Sequence, residues 1–269
     1  MSRSSAATLV LGLLVTQLLW AQNSDLAGIA HVAFRVRDYE KSRTFYEKLG
    51  FEQAFEFADP GKPSVSFIKI NDHQFIELYE GGKDTQPGLT HICFETSDIE
   101  SLRRAYLNHG LQPTETKKFL AGNLLFAMHD PEGQLLEYTQ YLPGSLHSLD
   151  QGKHLGQHRI SEHLLQSSTS AQDAAAERAY YTSTLGFEAN SASDELRLPG
   201  KSEDSIKIQS KAQASKPRIL FAVKNFRKAG HDLRSRGLNV QKQRKAVSIV
   251  DPDGTLIVLT SQRGDRSNP

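Results

Sequence analysis

Strand-like segments of alternating apolar and polar residues recur along most of this chain. In the segment "GLTHICFETSD" at 88–98, Ile92 and Phe94 fall on one face of a strand and His91 and Cys93 on the other, because strand side chains alternate. A lone histidine on such a strand is typical of a hydrogen-bonded structural residue. The pattern points to chemistry only if other ligand-type residues recur at matching places.

The chain repeats this plan. The segment "RTFYEKLGFE" at 43–52 returns as "RAYYTSTLGFE" at 178–188, and "DPEGQLLEY" at 130–138 returns as "DPDGTLIVL" at 251–259. Each half also divides into two units, each with a strand, a helix and further strands. The repeat therefore predicts an α+β fold of four βαβββ modules.

Acidic residues and glycines mark the ends of the first two predicted helices. Asp38 and Asp98 suit the N-cap position, where a carboxylate accepts hydrogen bonds from free backbone N–H groups. Gly50 and Gly110 suit the C-terminal end, where the chain leaves a helix in a left-handed conformation.

The two ends of the chain and the joint between its halves differ in composition from the rest. Arg3, an apolar run from Leu9 to Trp20 and the following "AQNSD" are typical of a signal peptide; an uncleaved N-terminal anchor is the alternative. The joint is polar, so His147 and His154 are expected on a linker surface. The expected division is a signal peptide over 1–22, a metal-binding domain over 27–143, a linker over 144–157, a degenerate domain over 158–262 and a disordered tail over 263–269.

Composition narrows the classes of partner. The chain has 269 residues, a net charge of +1 and one cysteine. A near-neutral charge gives no field that attracts nucleic acid or anionic lipid, and a single cysteine excludes an internal disulfide. The predicted signal peptide indicates an exported protein, periplasmic or secreted. The charge indicates no nucleic-acid partner and no membrane contact beyond the export signal.

Four ligand-type residues occupy matched places in the first two modules. His31 and His91 lie on the first strand of their modules, and Glu77 and Glu137 on the last, each 46 residues after its histidine. Two imidazoles and two carboxylates suit a divalent metal ion. The alternative is that both glutamates point to water from edge strands, although apolar residues flank them.

Several segments of the first half resemble the vicinal oxygen chelate superfamily: "IAHVAFRV", "FYEKLGF", "FIEL", "LTHICFE" and "DPEGQLLEY". That superfamily includes glyoxalase I, extradiol dioxygenases, methylmalonyl-CoA epimerase and fosfomycin or bleomycin resistance proteins. The resemblance covers 28–140 well and 160–262 more weakly. It implies two domains of paired βαβββ modules and one divalent metal ion, which could be Ni, Co, Zn, Mn or Fe.

The order His, Glu, His, Glu is most similar to bacterial glyoxalase I. The metal ligands that this resemblance implies are His31, Glu77, His91 and Glu137. It also implies Glu77 or Glu137 as the catalytic base, and Arg35 as a substrate-binding residue at the place where glyoxalase I holds a glutathione carboxylate. Gly81 stands where glyoxalase I has an asparagine for glutathione, which argues against glutathione itself.

The second half lacks this set. Alignment of the halves suggests His163, Lys207, Arg218 and Val258 at the four places. One histidine with two cations does not suit a divalent ion, so we expect this half to be structural or to cap the substrate.

The residues leave three functions open. The first is a glyoxalase-I-like lyase or isomerase, which acts through a metal-bound enediolate on a small substrate with two vicinal oxygens. The second is an extradiol ring-cleaving dioxygenase. Such an enzyme holds iron with three protein ligands, so Glu77 as a fourth ligand argues against it. The third is a small-molecule-binding or resistance protein. In each case the partner is a small molecule, and the chain is expected to be a monomer or a homodimer.

Overall fold

A computed structural model of the chain describes residues 26–82, 84–190, 194–212 and 216–261. The predicted signal peptide over 1–22 and the predicted tail over 263–269 lie outside the described residues. None of the described helices is long and apolar enough to cross a membrane.

The first half forms one eight-stranded sheet in the order β2-β3-β4-β1-β5-β8-β7-β6. Its strands are β1 (Gly28–Val36), β2 (Glu52–Phe57), β3 (Val65–Lys69), β4 (Phe75–Glu80), β5 (Gly88–Glu95), β6 (Lys117–Lys118), β7 (Leu124–His129) and β8 (Leu135–Gln140). Its helices are α1 (Tyr39–Lys48) and α2 (Ile99–Asn108), and the short helix α3 (Leu146–Leu149) follows the sheet.

The second half repeats this arrangement in a second eight-stranded sheet, in the order β10-β11-β12-β9-β13-β16-β15-β14. Its strands are β9 (His163–Ala171), β10 (Glu188–Ala189), β11 (Glu195–Arg197), β12 (Ser205–Ser210), β13 (Arg218–Val223), β14 (Gln241–Lys242), β15 (Ala246–Val250) and β16 (Leu256–Ser261). Its helices are α4 (Ala174–Ser183) and α5 (Phe226–Ser235). The α+β fold of two two-module domains is confirmed.

The helix ends follow the sequence signals. The Asp38 side chain accepts a hydrogen bond from the Lys41 backbone N–H at the start of α1, and Asp98 caps α2 in the same way. Gly50 and Gly110 have φ angles of 83° and 78°. This left-handed conformation favours glycine because it lacks a Cβ atom.

Alternation along the central strands gives each sheet two different faces. On β1, Val32 and Phe34 are buried in the hydrophobic core together with Tyr46 of α1. His31 and Ala33 point to the opposite face, because neighbouring strand residues alternate. The helices thus cover one face of the first sheet and leave the other free to build a site.

The two halves pack through side chains at equivalent register positions. The Gln74 amide donates to the Leu164 carbonyl and accepts from the Leu164 N–H. In the second half Asp204 has the place of Gln74, and its carboxylate accepts from the Ile29 N–H at 2.8 Å. Since these contacts satisfy buried backbone groups, they fix the position of one half against the other.

The joint over 144–157 is more ordered than its polar composition suggested. It contains α3, and the buried Lys69 ammonium holds the Asp150 carboxylate at 2.8 Å. His147 is only 3% exposed, so its expected place on a linker surface was wrong. His154 is partly exposed and hydrogen-bonds to Asp150.

Candidate metal centre

Four adjacent strands bring the predicted ligands to one face of the first sheet. Across β1 and β5, His31 pairs with Cys93 and Ala33 with His91. Glu77 on β4 lies opposite Ala33, and Glu137 on β8 lies opposite Cys93. Residues paired across strands share a face, so the four side chains converge. We call His31, Glu77, His91 and Glu137 the His/Glu quartet.

Each histidine of the quartet lies within hydrogen-bond or ion-pair distance of the other histidine and of both glutamates. The two histidine Nε2 atoms are 3.1 Å apart. Glu77 places Oε1 at 3.3 Å from His31 and Oε2 at 3.4 Å from His91. Glu137 uses Oε2 alone, at 3.6 Å from His31 and 3.4 Å from His91. The predicted alternative, in which both glutamates point to water, is therefore wrong.

Burial makes this cluster of charge costly unless the groups compensate one another. The side chains of His31, Glu77 and His91 are each at most 6% exposed, and that of Glu137 is 17% exposed. Burial alone would raise the pKa of Glu77, but the His31 charge and the hydrogen bond with His91 lower it to about 2. Burial alone would lower the pKa of His91, and its hydrogen bond with Glu77 raises it. The two histidines therefore stabilise the ionised form of the Glu77 carboxylate.

The donor set fits a divalent ion. Nitrogen and oxygen atoms about 2.0–2.2 Å from one ion lie roughly 3.0–3.5 Å apart in octahedral or tetrahedral arrangements. The separations between the histidine nitrogens and their quartet partners, from 3.1 to 3.6 Å, agree with this spacing. Two neutral imidazoles with two carboxylates also balance the charge of a divalent ion.

A second layer orients two of the quartet residues. Tyr79 hydrogen-bonds to Glu77, and the Thr90 hydroxyl lies 3.4 Å from His91 Nδ1 while it donates to the Ala33 carbonyl. Such partners fix the ring orientation of metal-binding histidines. His31 Nδ1 is buried without a hydrogen-bond partner among the described residues.

Cys93 lies beside the quartet and is fully buried. Its sulfur lies within 4.8 Å of ligand atoms of His31 and Glu137. Burial raises the pKa of the thiol well above its ordinary value, and the nearby Glu137 charge adds to this effect. A protonated thiol packs as a small apolar side chain.

A cavity of about 440 Å³ opens from the quartet. We call it the metal-side cavity. His31, Glu77 and Glu137 form part of its wall, and most of the remainder is apolar or aromatic, including Phe57, Phe67, Phe119, Leu125 and Tyr141. His147 also lines it. The sequence analysis missed this residue because the polar joint that carries it gave no sign of burial.

Arg35, the predicted substrate-binding residue, is exposed and is not among the residues that line the metal-side cavity. Its side chain passes beside Gly81, where a Cβ atom would lie 2.8 Å from Arg35 Cγ and 2.9 Å from the Val36 carbonyl oxygen. An asparagine at position 81 would therefore require the Arg35 side chain and the Val36 carbonyl to shift. The substrate-binding role of Arg35 stays a prediction.

The strand register corrects one alignment between the halves. Gln166 pairs with Leu220 as His31 pairs with Cys93, so Gln166 and not His163 has the place of His31. His163 corresponds to Gly28, and its Nε2 lies 2.6 Å from Asp204 Oδ1 at the interface between the halves.

The other three assignments in the second half agree with the register. Lys207, Arg218 and Val258 have the places of Glu77, His91 and Glu137. Arg218 donates a hydrogen bond to Gln166 Oε1 at 2.7 Å. The second set therefore has two cations, an amide and an aliphatic side chain.

Comparisons with known proteins agree with this architecture. Residues 28–138 match the family described as the Glyoxalase/Bleomycin resistance protein/Dioxygenase superfamily. No curated protein matches the chain in sequence.

Similar solved structures cover both halves of the chain. The Mn(II)-bound glyoxalase from Novosphingobium aromaticivorans is 16% identical, with a TM-score of 0.66 over 88% of this chain and 83% of its own. The 2,3-dioxygenase LapB from Pseudomonas sp. KL28 is 14% identical, with a TM-score of 0.69 over 89% and 93%. An extradiol ring-cleaving dioxygenase from B. fuscum is 18% identical, with a TM-score of 0.65 over 92% and 75%.

These identities are low, so the likeness to solved structures concerns the fold, and both enzyme types share it. The family match and the two repeated sheets lead to one assignment. The chain has a domain of the glyoxalase/bleomycin resistance protein/dioxygenase superfamily over residues 28–138, followed by a second domain of the same fold.

Proposed function

We propose that this protein is a metal-dependent lyase or isomerase of the glyoxalase type, acting on a small substrate with two vicinal oxygens. The observation that carries the proposal is the position of Glu77. Its two oxygens each face one histidine, and its side chain is 4% exposed. It therefore adds a fourth buried donor to the two histidines and Glu137.

The quartet would hold a divalent ion, which would supply Lewis-acid polarisation of two neighbouring substrate oxygens. His31 and His91 contribute neutral nitrogen donors from adjacent strands. Glu77 contributes negative charge and is oriented by Tyr79. The apolar wall of the metal-side cavity keeps water away from the reacting part of the substrate.

Glu137 is the better placed of the two glutamates to move a proton. Glu77 directs both oxygens at histidines, whereas Glu137 directs only Oε2 at them. Glu137 Oε1 makes no hydrogen bond or ion pair with the residues that the structure describes. Glu137 lines the metal-side cavity, where its carboxylate can accept a proton from a substrate carbon.

A ring-cleaving dioxygenase is the second candidate, because the aromatic wall of the metal-side cavity suits a flat ring. Iron dioxygenases use three protein ligands and keep open positions for oxygen and substrate. Glu77 in the fourth place favours the first candidate.

The two candidates differ in their response to Glu77→Gln. For a lyase or isomerase, we expect weaker metal binding and proton-transfer turnover lower by roughly 10²-fold or more, the scale of a lost acid–base group. For a dioxygenase, oxygen-dependent cleavage should persist, since three ligands suffice. The assay compares α-ketoaldehyde–thiol adducts with catechols, under air and under nitrogen, at saturating metal.

Glu95→Gln is the matched control. Glu95 is the last residue of β5, the strand that carries His91, but its carboxylate pairs with the exposed His73. It should retain wild-type turnover. Oxygen-requiring activity in Glu77→Gln would overturn the lyase assignment and support the dioxygenase.

A further inference from the structure

His147 is a buried histidine that the proposed chemistry does not use. The short helix α3 carries it into the metal-side cavity, where its ring stacks on Tyr141 with centroids 4.6 Å apart. Its Nδ1 atom lies 2.7 Å from the Asn123 side-chain nitrogen. Phe67 and Phe75 contact the ring edge-on. These contacts hold the ring in one orientation.

The second ring nitrogen, Nε2, is buried and has no hydrogen-bond partner among the described residues. Leaving a buried polar group unpaired is unfavourable, and native proteins pair nearly all such groups. The ring lines a cavity, so a molecule bound there can supply the partner. With Nδ1 accepting from Asn123, the ring proton is on Nε2, which makes this atom a donor.

The surrounding wall limits the charge of that molecule. Beyond the quartet, the charged residues that line the metal-side cavity are Asp59 and Lys62. They lie 2.9 Å apart and pair with each other at the exposed mouth. Burial, together with the His31 charge, lowers the pKa of His147 to about 3, so its ring is neutral. The buried part of a ligand therefore meets neutral, largely aromatic groups.

A buried ion cluster fixes the segment that carries His147. The Lys69 ammonium is fully buried and lies 2.8 Å from Asp150 and 2.8 Å from Asp72. Asp150 follows α3 directly. This anchor holds the joint against β3 and so keeps α3 beside the metal-side cavity.

We propose that His147 binds substrate through Nε2, and that the substrate is flat and uncharged, with a hydrogen-bond acceptor beyond the two vicinal oxygens that face the quartet. This inference rests on the proposed function, since the vicinal oxygens orient the substrate at the metal. His147 is not within hydrogen-bond distance of any quartet atom, so it contacts the distal part of the molecule.

The test uses two pairs of chelating probes on the full chain loaded with Zn²⁺ under nitrogen. In each pair an aldehyde group, whose oxygen accepts hydrogen bonds, replaces a methyl group: 3,4-dihydroxybenzaldehyde against 4-methylcatechol, and 2,3-dihydroxybenzaldehyde against 3-methylcatechol. His147→Phe retains the ring stacking and removes both ring nitrogens, Nε2 and the Nδ1 that accepts from Asn123. His129→Phe is the control, because His129 is an exposed histidine on β7.

We expect His147→Phe to bind Zn²⁺ like the wild type and to lose about tenfold in affinity for at least one aldehyde probe, the scale of one lost hydrogen bond. Affinity for the matched methyl probe should change by less than about twofold. A change in packing alone would weaken both members of a pair equally. His129→Phe should behave like the wild type with all four probes.

A measurement on the wild-type protein covers the case in which His147→Phe does not fold. The His147 Nε2 resonance, observed by ¹⁵N NMR in the Zn²⁺ form, should shift with an aldehyde probe and stay in place with its methyl partner. No such difference would overturn the inference.

The remaining outcomes separate this inference from the proposed function. Equal affinities of wild type and His147→Phe for both members of each pair, with Zn²⁺ retained, overturn the inference alone. Loss of Zn²⁺ in His147→Phe would make His147 a metal ligand and also overturn it. A wild-type chain that binds no metal overturns the proposed function and the inference together.

Discussion

The two halves of the molecule have the same strand order and register but different chemistry at four equivalent positions. The first half has His31, Glu77, His91 and Glu137, and the second has Gln166, Lys207, Arg218 and Val258. Where two histidine nitrogens lie 3.1 Å apart in the first half, an arginine donates to a glutamine in the second. The fold thus tolerates opposite charge at the same places.

This comparison teaches that the site and the core are separate properties of the sheet. The core uses the strand face that packs against the helices, with residues such as Val32, Phe34, Ile206 and Ile219. The site uses the opposite face. Because strand side chains alternate, the opposite face can change its charge and lose its metal donors while the core keeps its packing.

The largest expected effect is on metal affinity, when a residue of the first half is exchanged for its equivalent in the second half. His91→Arg removes an imidazole and places a cation beside His31, so metal affinity should fall by about 1,000-fold. Loss of a residue that merely supports a ligand already costs about 10–100-fold. Competition with a chelator in the full chain measures this affinity.

Arg218→His is the matched control for this exchange. It adds an imidazole where Lys207 and Val258 provide no donor, so the affinity of the first site should stay unchanged and no second ion should bind. A second ion in Arg218→His, or equal loss in both variants, would contradict the account of the two halves.

Lys69 and Arg197 sharpen the comparison at the level of stability, because they have equivalent places on β3 and β11. Lys69 is fully buried between Asp72 and Asp150, whereas Arg197 pairs with Glu188 on the surface. Lys69→Met removes the buried cation beside Asp150, which keeps only His154 as a partner among the described side chains, and should lower the free energy of unfolding by about 3 kcal/mol. Arg197→Met should change it little. Urea unfolding followed by circular dichroism compares them, and equal effects would show that burial does not separate the two cations.

The helices of the two halves should also differ in their response to pH. Glu177 on α4 has the place of Ser42 on α1. Burial, the hydrogen bond with Asp130 and the Asp130 charge raise the pKa of Glu177 to about 8. Between pH 4.5 and 8 the folded chain therefore binds a proton that the unfolded chain has released, and stability falls as pH rises.

The Glu177→Gln variant has no ionisable group at position 177, so it should lose this fall of stability with rising pH. We compare the free energy of unfolding of the variant with that of the wild type at pH 5 and at pH 8.5. The difference should shift in favour of the variant by about 1–2 kcal/mol between the two pH values. Melting temperatures at the two pH values measure this, with Glu40→Gln, an exposed carboxylate on α1, as the control. An unchanged slope in Glu177→Gln would place the pH dependence elsewhere.

The sequence singled out the four quartet residues because two local rules act together. Strand alternation placed His91 away from the core, and the shared spacing of 46 residues placed Glu77 and Glu137 at corresponding positions of the two modules. The N-cap aspartates marked the helices, and the caps formed as predicted.

The misplacement of His163 has a simple physical cause. The alignment sought a histidine, but the second half no longer has one at this place. The helix caps provide a better reference, since counting seven residues back from Asp38 gives His31 and counting seven back from Asp173 gives Gln166. Burial of His147 had no local signal, because it depends on the tertiary contact between Lys69 and Asp150.

The central claim is that one divalent ion binds to the first half through two imidazoles and two carboxylates. X-ray absorption of the full chain, reconstituted with Co²⁺, tests it most directly. We predict one ion per chain and scattering from two imidazoles, lost in His31→Gln and unchanged in His163→Ala. Two ions per chain, or loss of imidazole scattering in His163→Ala with its retention in His31→Gln, would contradict the account.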